Sequence, residues 1–547
     1  MPGVYGFNLL KKYKEICIAI FTEYLHTDSA VNWLLVVNKY VFIANFTQKK
    51  IYYIICFPEW DDRLEFICGT ILLFKKMTDF LKYSPLLIST TIKHYLNGPP
   101  RPSWNLKCHI FWAKYISLLK SSETIEQKQR ASFSFRPAPV QDGVMINEFK
   151  IDNKYRNEAQ VHLNIILKPF EHVLDPEWKN LKDDGIISEW VQFPNDEWEK
   201  KEIKKTILYL HGGAYYSFCK ENHRCITSSL AKIANARVLV INYRLAPQNQ
   251  FPAALQDALA AYLYLLNPPK DAGFEPLNPK NIVICGDSAG GGLSLALGLA
   301  IRDVCDAGLP SCAGIIGLSP WVDLTISTAS ILDDECADYI RNMKRGTANY
   351  AESQASKEYK EKDVALAAKI KNGPKIWHDS FERPDGRLHL YVINEGLAIP
   401  YVSPMLAESL GDLPPLLLTA GGDDRFRDEA IYLAHRSSEP TKYKGPSYNA
   451  GKFEKSPFKT PTNTTLEIYE EMPHVFQFME HAFTTKSYER IAEFINRVIN
   501  TLNEPLPPST YNYINVKGEL SPLKELHKNV LNWEKIGIVP TIPHEMN

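Results

Sequence analysis

Three residue types far apart in the chain could together carry out acyl transfer. Ser288 lies in the run Ile282-Val283-Ile284-Cys285-Gly286-Asp287-Ser288-Ala289-Gly290-Gly291-Gly292. The apolar residues before it read as a short buried strand and those after it as the start of a helix. A G-x-S-x-G turn between the two holds its serine at strained backbone angles, so the flanking residues must lack bulk. It presents a weak nucleophile at a strand end, beside the unpaired N–H groups of a helix start. His474 follows Tyr469-Glu470-Glu471-Met472-Pro473, in a loop after a strand-like run and before a helix. There it can take the hydroxyl proton and return it to a leaving group. Asp424, after Leu416-Leu417-Leu418-Thr419-Ala420-Gly421-Gly422-Asp423, can orient that histidine and stabilise its charged form. Asp423 is adjacent, so the register of the acid stays open between the two.

Donors for a developing oxyanion are also present. Leu208-Tyr209-Leu210-His211-Gly212-Gly213-Ala214 places two glycines directly after a strand. The N–H groups of Gly212, Gly213 and Ala289 are the candidates, each such donor being worth ~10²–10³ in rate where it has been removed. His211 reads as a loop-orienting residue, Asp287 as a hydrogen-bonder within the turn, and Asp257 as a structural partner for Arg244. Each feature has a plainer alternative: a Gly-Gly pair is often only a turn, and an Asp after a strand often caps the next helix. Their succession after consecutive strands is what favours chemistry.

Those strands form a regular series. Thr206–Leu210, Arg237–Asn242, Ile282–Cys285, Gly314–Leu318, Leu416–Ala420 and Leu466–Tyr469 read as buried strands, with helices over Asn222–Ala234 and Ala253–Leu266. Continuous apolar strands alternating with helices predict a mostly parallel sheet flanked by helices on both faces. Ala159–Leu167 and Ile186–Phe193 alternate like strands, and residues 121–140 read as polar loop. The charged stretch 333–400 and the Lys/Pro/Ser/Gly-rich stretch 439–464 read as surface insertions. Residues 504–547 read as an extended C-terminal segment.

The first 130 residues are aromatic and mildly basic, in a chain whose formal net charge is -1. A near-neutral chain gives no reason to expect nucleic acid as a partner. Ten cysteines in 547 residues, none in C-x-x-C spacing, make neither a disulfide framework nor a zinc site. No clean secretory signal opens the chain. Residues 1–130 read as a helical region, either a cap on the catalytic domain, a membrane-interface element or an ordinary helical subdomain. A span over Ser29–Gln48 would place Lys39 near its centre, at a cost of about 2.5–3.5 kcal/mol. The expected location is membrane-associated, at the endoplasmic reticulum, with the cytoplasm as the alternative.

The motifs H-G-G-A-Y, Y-R-L-A-P (Tyr243–Pro247), F-P-A-A-L-Q-D (Phe251–Asp257), G-D-S-A-G-G and D-x-x-R-D-E from Asp424 occur in that order. Together they resemble the hormone-sensitive-lipase-like family of α/β-hydrolases, over about Thr206 to Asn500. The resemblance implies an α/β-hydrolase fold over residues 145–503 and a serine esterase, lipase or deacetylase acting on a lipophilic ester, with no metal or cofactor. It implies Ser288 as nucleophile, Asp424 as acid, His474 as base, and Gly212, Gly213 and Ala289 at the oxyanion hole. Members also often carry an N-terminal cap or membrane anchor. The competing reading is a catalytically silent α/β-hydrolase that serves as a binding protein or receptor. The triad alone does not distinguish ester from amide cleavage.

Overall fold

The computed structural model describes strands at 20–21, 31–37, 40–47 and 50–56, then residues 84–523 and Ile536. Within 84–523 it leaves out 121–122, 135–136, 195–204, 342–350, 371–388, 444, 447–451 and 501–504. The chain divides into two compact units, Met1–Leu87 and Ile88–Asn547.

The first unit holds four antiparallel strands: β1 (Ile20–Phe21), β2 (Val31–Val37), β3 (Tyr40–Thr47) and β4 (Lys50–Cys56). This corrects the expectation of helices there, and with it the span over Ser29–Gln48. Strands β2, β3 and β4 are seven or eight residues long and dense in Val, Ile, Tyr and Phe, which fit a pleated surface better than a helix. Val37 pairs with Tyr40 and Thr47 with Lys50, so only two residues separate successive strands, the spacing of tight hairpins. The apolar run Phe66–Phe74 lies outside the described residues. No described helix is long and apolar enough to cross a membrane.

The second unit is built on a ten-stranded sheet in the order β14-β13-β12-β11-β10-β9-β7-β8-β6-β5. Its strands are β5 (Met145–Ile151), β6 (Ile186–Gln192), β7 (Thr206–Leu210), β8 (Arg237–Ile241), β9 (Ile282–Asp287), β10 (Gly314–Leu318), β11 (Leu416–Gly421), β12 (Thr464–Tyr469), β13 (Thr510–Ile514) and β14 (Leu520–Pro522). Pairing is parallel from β8 through β7, β9, β10, β11 and β12 to β13, and antiparallel at both ends. Strands β7, β9, β10 and β11 are buried along their whole length, as a sheet covered on both faces requires. Adjacent chain crossings β7/β9 and β9/β10 bring the ends of β7, β9, β10 and β11 to one edge. Loops leaving that edge carry His211, Ser288 and Asp424.

Four expectations need correction. Residues Asn153–Ile166 form a helix, capped by the Asp152 side chain, which accepts from Lys154 N. Its buried residues Tyr155, Ala159, Leu163 and Ile166 recur at helical spacing, and a stretch with apolar residues at 159, 161, 163 and 165 also satisfies the strand period. Within 121–140 a helix runs over Ile125–Ser134, started by a reciprocal cap in which Thr124 N donates to Gln127 Oε1 and Gln127 N to Thr124 Oγ1. Beyond residue 503 the chain rejoins the sheet as β13, where Tyr511 and Tyr513 alternate with Thr510, Asn512 and Ile514 in a strand paired with β12. The stretch 333–400 is not all surface: Leu390, Tyr391, Val392 and Ile393 are buried in the main core.

The elbow depends on one close approach. A Cβ on Gly290 would lie 2.0 Å from the Leu210 carbonyl oxygen, so the helix after Ser288 meets the end of β7 with no room for a methyl group. Backbone is what it would strike, and backbone cannot rotate away. Gly290→Ala is expected to cost about 3 kcal/mol or more. A urea titration checks this; a midpoint within error of the wild type would contradict it.

Candidate active site

Ser288 sits between β9 and the helix Ala289–Asp303 with φ 54° and ψ −122°. Its backbone holds it there from both sides: Ser288 N donates to Leu318 O at 2.9 Å, and Ser288 O accepts from Gly292 N at 3.0 Å and Trp321 N at 2.9 Å. The residue is 9% exposed, and that exposure faces a cavity of about 90 Å³ also lined by His474, Gly213 and Ala214. Tyr115 and Leu119 of the helix Leu106–Leu119 close the same cavity, with Trp321, Tyr339, Phe426 and Phe478.

The other two side chains meet directly. His474 Nδ1 is 3.1 Å from Asp424 Oδ1, an oxygen that also accepts from Phe426 N at 2.8 Å. With Nδ1 on the carboxylate, Nε2 is the atom left for the cavity, and it is buried without a hydrogen-bond partner among the described residues. Phe426 and Tyr339 pack edge-on to the imidazole, at ring separations of 4.8 Å and 6.0 Å. Burial alone would lower the His474 pKa, but the adjacent Asp424 carboxylate outweighs it and raises it. Burial likewise favours the neutral Asp424 carboxyl, and the facing His474 overrides this and pulls it below its usual range.

Of the two neighbouring acids, Asp424 is the one that faces His474. Asp423 points to the other side, where its two oxygens take Arg101 Nε at 2.7 Å and Arg101 Nη2, and Oδ1 also accepts from Ala337 N at 3.1 Å. The same segment reaches the histidine loop, Trp104 Nε1 donating to Glu471 O at 2.8 Å and Ser103 N to Glu471 Oε2 at 2.9 Å.

One expected donor is corrected. Gly212 N already donates to Asp287 Oδ1 at 3.0 Å, so it is unavailable to an oxyanion. A hydrogen bond made in the resting fold cannot also be aimed at a reacting oxygen. Beyond it the chain turns sharply: Gly213 has φ 119°, Ala214 φ 53° and Tyr215 φ 64°. A Cβ on Gly213 would lie 2.0 Å from Ser217 O, so only glycine fits there. Gly213 and Ala214 line the cavity, and Ala289 is the first residue of the helix after Ser288, where N–H groups lack intrahelical partners. Gly213, Ala214 and Ala289 are therefore the better-placed trio.

The remaining candidates are structural. His211 stacks on Tyr243 at 4.3 Å with Nδ1 2.7 Å from Gly212 O, and burial pushes its pKa down to about 3, so it stays neutral and braces the turn. Asp287 also accepts from Tyr209 Oη at 2.7 Å and lies 3.3 Å from His223 Nε2, joining the elbow to the glycine turn. Asp257 receives Arg244 N at 2.8 Å and Arg156 Nε at 2.6 Å. Glu148, Glu189 and Glu221 could face a cation, but Lys220 Nζ sits among them at 2.7, 2.8 and 2.6 Å. Sequence reasoning missed His223, Tyr115 and Asp338, whose surroundings carry no motif of their own.

A family model described as the alpha/beta hydrolase fold matches residues 207–377. An acetyl-hydrolase of Streptomyces hygroscopicus is 40% identical over 284 residues, covering 52% of this chain and 72% of that protein. An esterase of Acinetobacter venetianus is 29% identical over 231 residues, 41% of this chain and 60% of that one. A carboxylesterase/phospholipase of Mycobacterium tuberculosis is 39% identical over 120 residues, 22% of this chain and 29% of that one. A crystallised esterase from the bacterial hormone-sensitive lipase family aligns with a TM-score of 0.46 at 24% identity, over 71% of this chain and 98% of that one.

Proposed function

The chain belongs to the hormone-sensitive-lipase-like α/β-hydrolases, and from that premise we propose that it is a serine carboxylic-ester hydrolase with Ser288, His474 and Asp424 as its triad. Ser288 Oγ attacks the acyl carbonyl while its proton passes to His474 Nε2. Asp424 keeps Nδ1 protonated and stabilises the imidazolium that results. The N–H groups of Gly213, Ala214 and Ala289 receive the oxyanion. Collapse of the tetrahedral species passes the proton from Nε2 to the leaving alcohol and leaves an acyl-Ser288 ester. Water, deprotonated by the same nitrogen, then releases the acid and restores Ser288.

The observation that carries this reading is the buried Nδ1 bond to Asp424, with Nε2 unpaired beside the cavity that Ser288 opens into. A fluorophosphonate probe tests it. Labelling of the wild type and none of Ser288→Ala is expected; an unlabelled wild type would leave a fold without hydrolysis, the silent alternative.

The substrate is a lipophilic ester with a short acyl group. The cavity at Ser288, about 90 Å³, is smaller than the ~150 Å³ that accommodates benzene in an apolar core. Its walls are largely aromatic, and the Streptomyces hygroscopicus relative is an acetyl-hydrolase. Across p-nitrophenyl esters, kcat/KM is expected to fall at least tenfold between butyrate and decanoate, since the surplus methylenes must displace packed side chains (about 1.4 kcal/mol or more in total). A flat profile would remove the acyl-size argument. Work at a membrane surface, at the endoplasmic reticulum, is supported by the apolar and basic residues of the first unit alone.

A further inference from the structure

Among the described residues, Asp338 is the acidic side chain outside the triad that is bonded to the backbone of both the His474 loop and the Asp424 turn. It lies in the charged stretch Asp333-Asp334-Glu335-Cys336-Ala337-Asp338, which by composition reads as surface, yet it is only 6% exposed. Its Oδ1 accepts from His474 N at 3.2 Å and Ile340 N at 3.2 Å, and its Oδ2 accepts from Arg425 N at 2.9 Å. The loop of the base and the turn of the acid are thus joined through one carboxylate at the triad residue itself and at its neighbour. Asp423 N donating to Met472 O at 3.0 Å joins the same two segments nearer the strand ends.

The charge matters as well as the bonds. Asp338 faces Asp424 and His474 across the site, while the Arg425 guanidinium turns to the carbonyls of Ile340 and Asp333. His474 is faced by Asp424, Asp338 and, further off, Asp287, with the Tyr339 and Phe426 rings around it. Burial, then the negative Asp424, push the Asp338 carboxyl up to about 7, and its ionised form favours a charged His474 ring.

Resting on the reading of His474 as the base, we propose that Asp338 is a positioning residue of the reaction: its carboxylate fixes the His474 loop against the Asp424 turn and, when ionised, stabilises the imidazolium formed during proton transfer. No atom of Asp338 need touch substrate. It acts through the ring that does.

Asp338→Asn keeps the size and removes the charge, but its amide would set a donor against Arg425 N–H, so Asp338→Ser is made beside it. Steady-state kinetics on p-nitrophenyl acetate across pH and thermal melts are run on both. The expected result is kcat lower by about 10- to 100-fold with KM little changed. The acid limb of kcat/KM should move to lower pH by roughly half a unit to one unit, because less negative charge holds the proton on the imidazole. An acid limb that stays in place overturns the proposal whatever the rate does, since packing alone would lower kcat without moving it. If neither variant folds, the wild type decides. Its His474 ring ¹⁵N signals should titrate in two coupled steps as Asp338 ionises beside it; a single step overturns the proposal. That readout needs no turnover, so it stands apart from the fluorophosphonate test of Ser288.

Discussion

Ser288→Ala is expected to lower kcat/KM for short acyl esters by on the order of 10⁴- to 10⁶-fold, the range in which loss of a triad nucleophile falls in other serine hydrolases. The fold should survive the change. What holds residue 288 at its positive φ is its backbone, through Leu318 O, Gly292 N and Trp321 N, and alanine retains all three bonds. The melting temperature should therefore stay near that of the wild type while turnover disappears. Residual hydrolysis would come from the oxyanion donors acting on water-borne attack. Progress curves with p-nitrophenyl acetate, on protein shown to be folded, measure both quantities; turnover within tenfold of the wild type would remove Ser288 from the mechanism.

The second large effect separates two neighbouring acids. Asp424→Asn should cost about 10³- to 10⁴-fold in kcat, because an amide facing His474 Nδ1 favours the wrong tautomer and leaves the imidazolium without its counter-charge. Asp423→Asn should leave kcat within a few-fold. Its carboxylate takes two N–H groups of Arg101, whose side chain is 31% exposed, and so points to Arg101 and Ala337 rather than to His474. The Ala337 N–H bond to Asp423 Oδ1 can still be made by an amide oxygen. Measuring kcat for both variants at pH 7–8, where Asp424 is ionised in the wild type, gives the ranking. The reverse order would shift the acid by one residue.

Much of the catalytic unit was legible because its signals are local and redundant. Each buried parallel strand is a short apolar run with a turn after it, and Gly314–Leu318 and the helix Ala253–Leu266 fall where the pattern sets them. The elbow was legible because Gly290 must approach β7 closely, a requirement written into residue type. Other features depend on partners distant in sequence. Asn153–Ile166 satisfies two periods at once, and only packing of Tyr155, Ala159 and Leu163 into the core selects the helix. Gly212 looks like an oxyanion donor until Asp287, 75 residues away, claims its N–H. Asp338 is one acid in a run of acids, and nothing nearby marks it as the buried one. The strands of the first unit lie in an aromatic, mildly basic region whose charges suit an amphipathic helix as well, and only the β-branched and aromatic residues that dominate each short run favour the strand.

The contacts of Arg101, Ser103 and Trp104 bear on where the polypeptide can be shortened. These residues hang on the turn and the loop that carry Asp424 and His474, although they precede the first strand of the large sheet by some forty positions. A truncation at residue 120 would thus strip the props from Asp424 and His474 together with Tyr115, and any lost turnover would say nothing about lipid contact. A cut made at Leu87, where one compact unit gives way to the next, removes the early hairpins and spares those props.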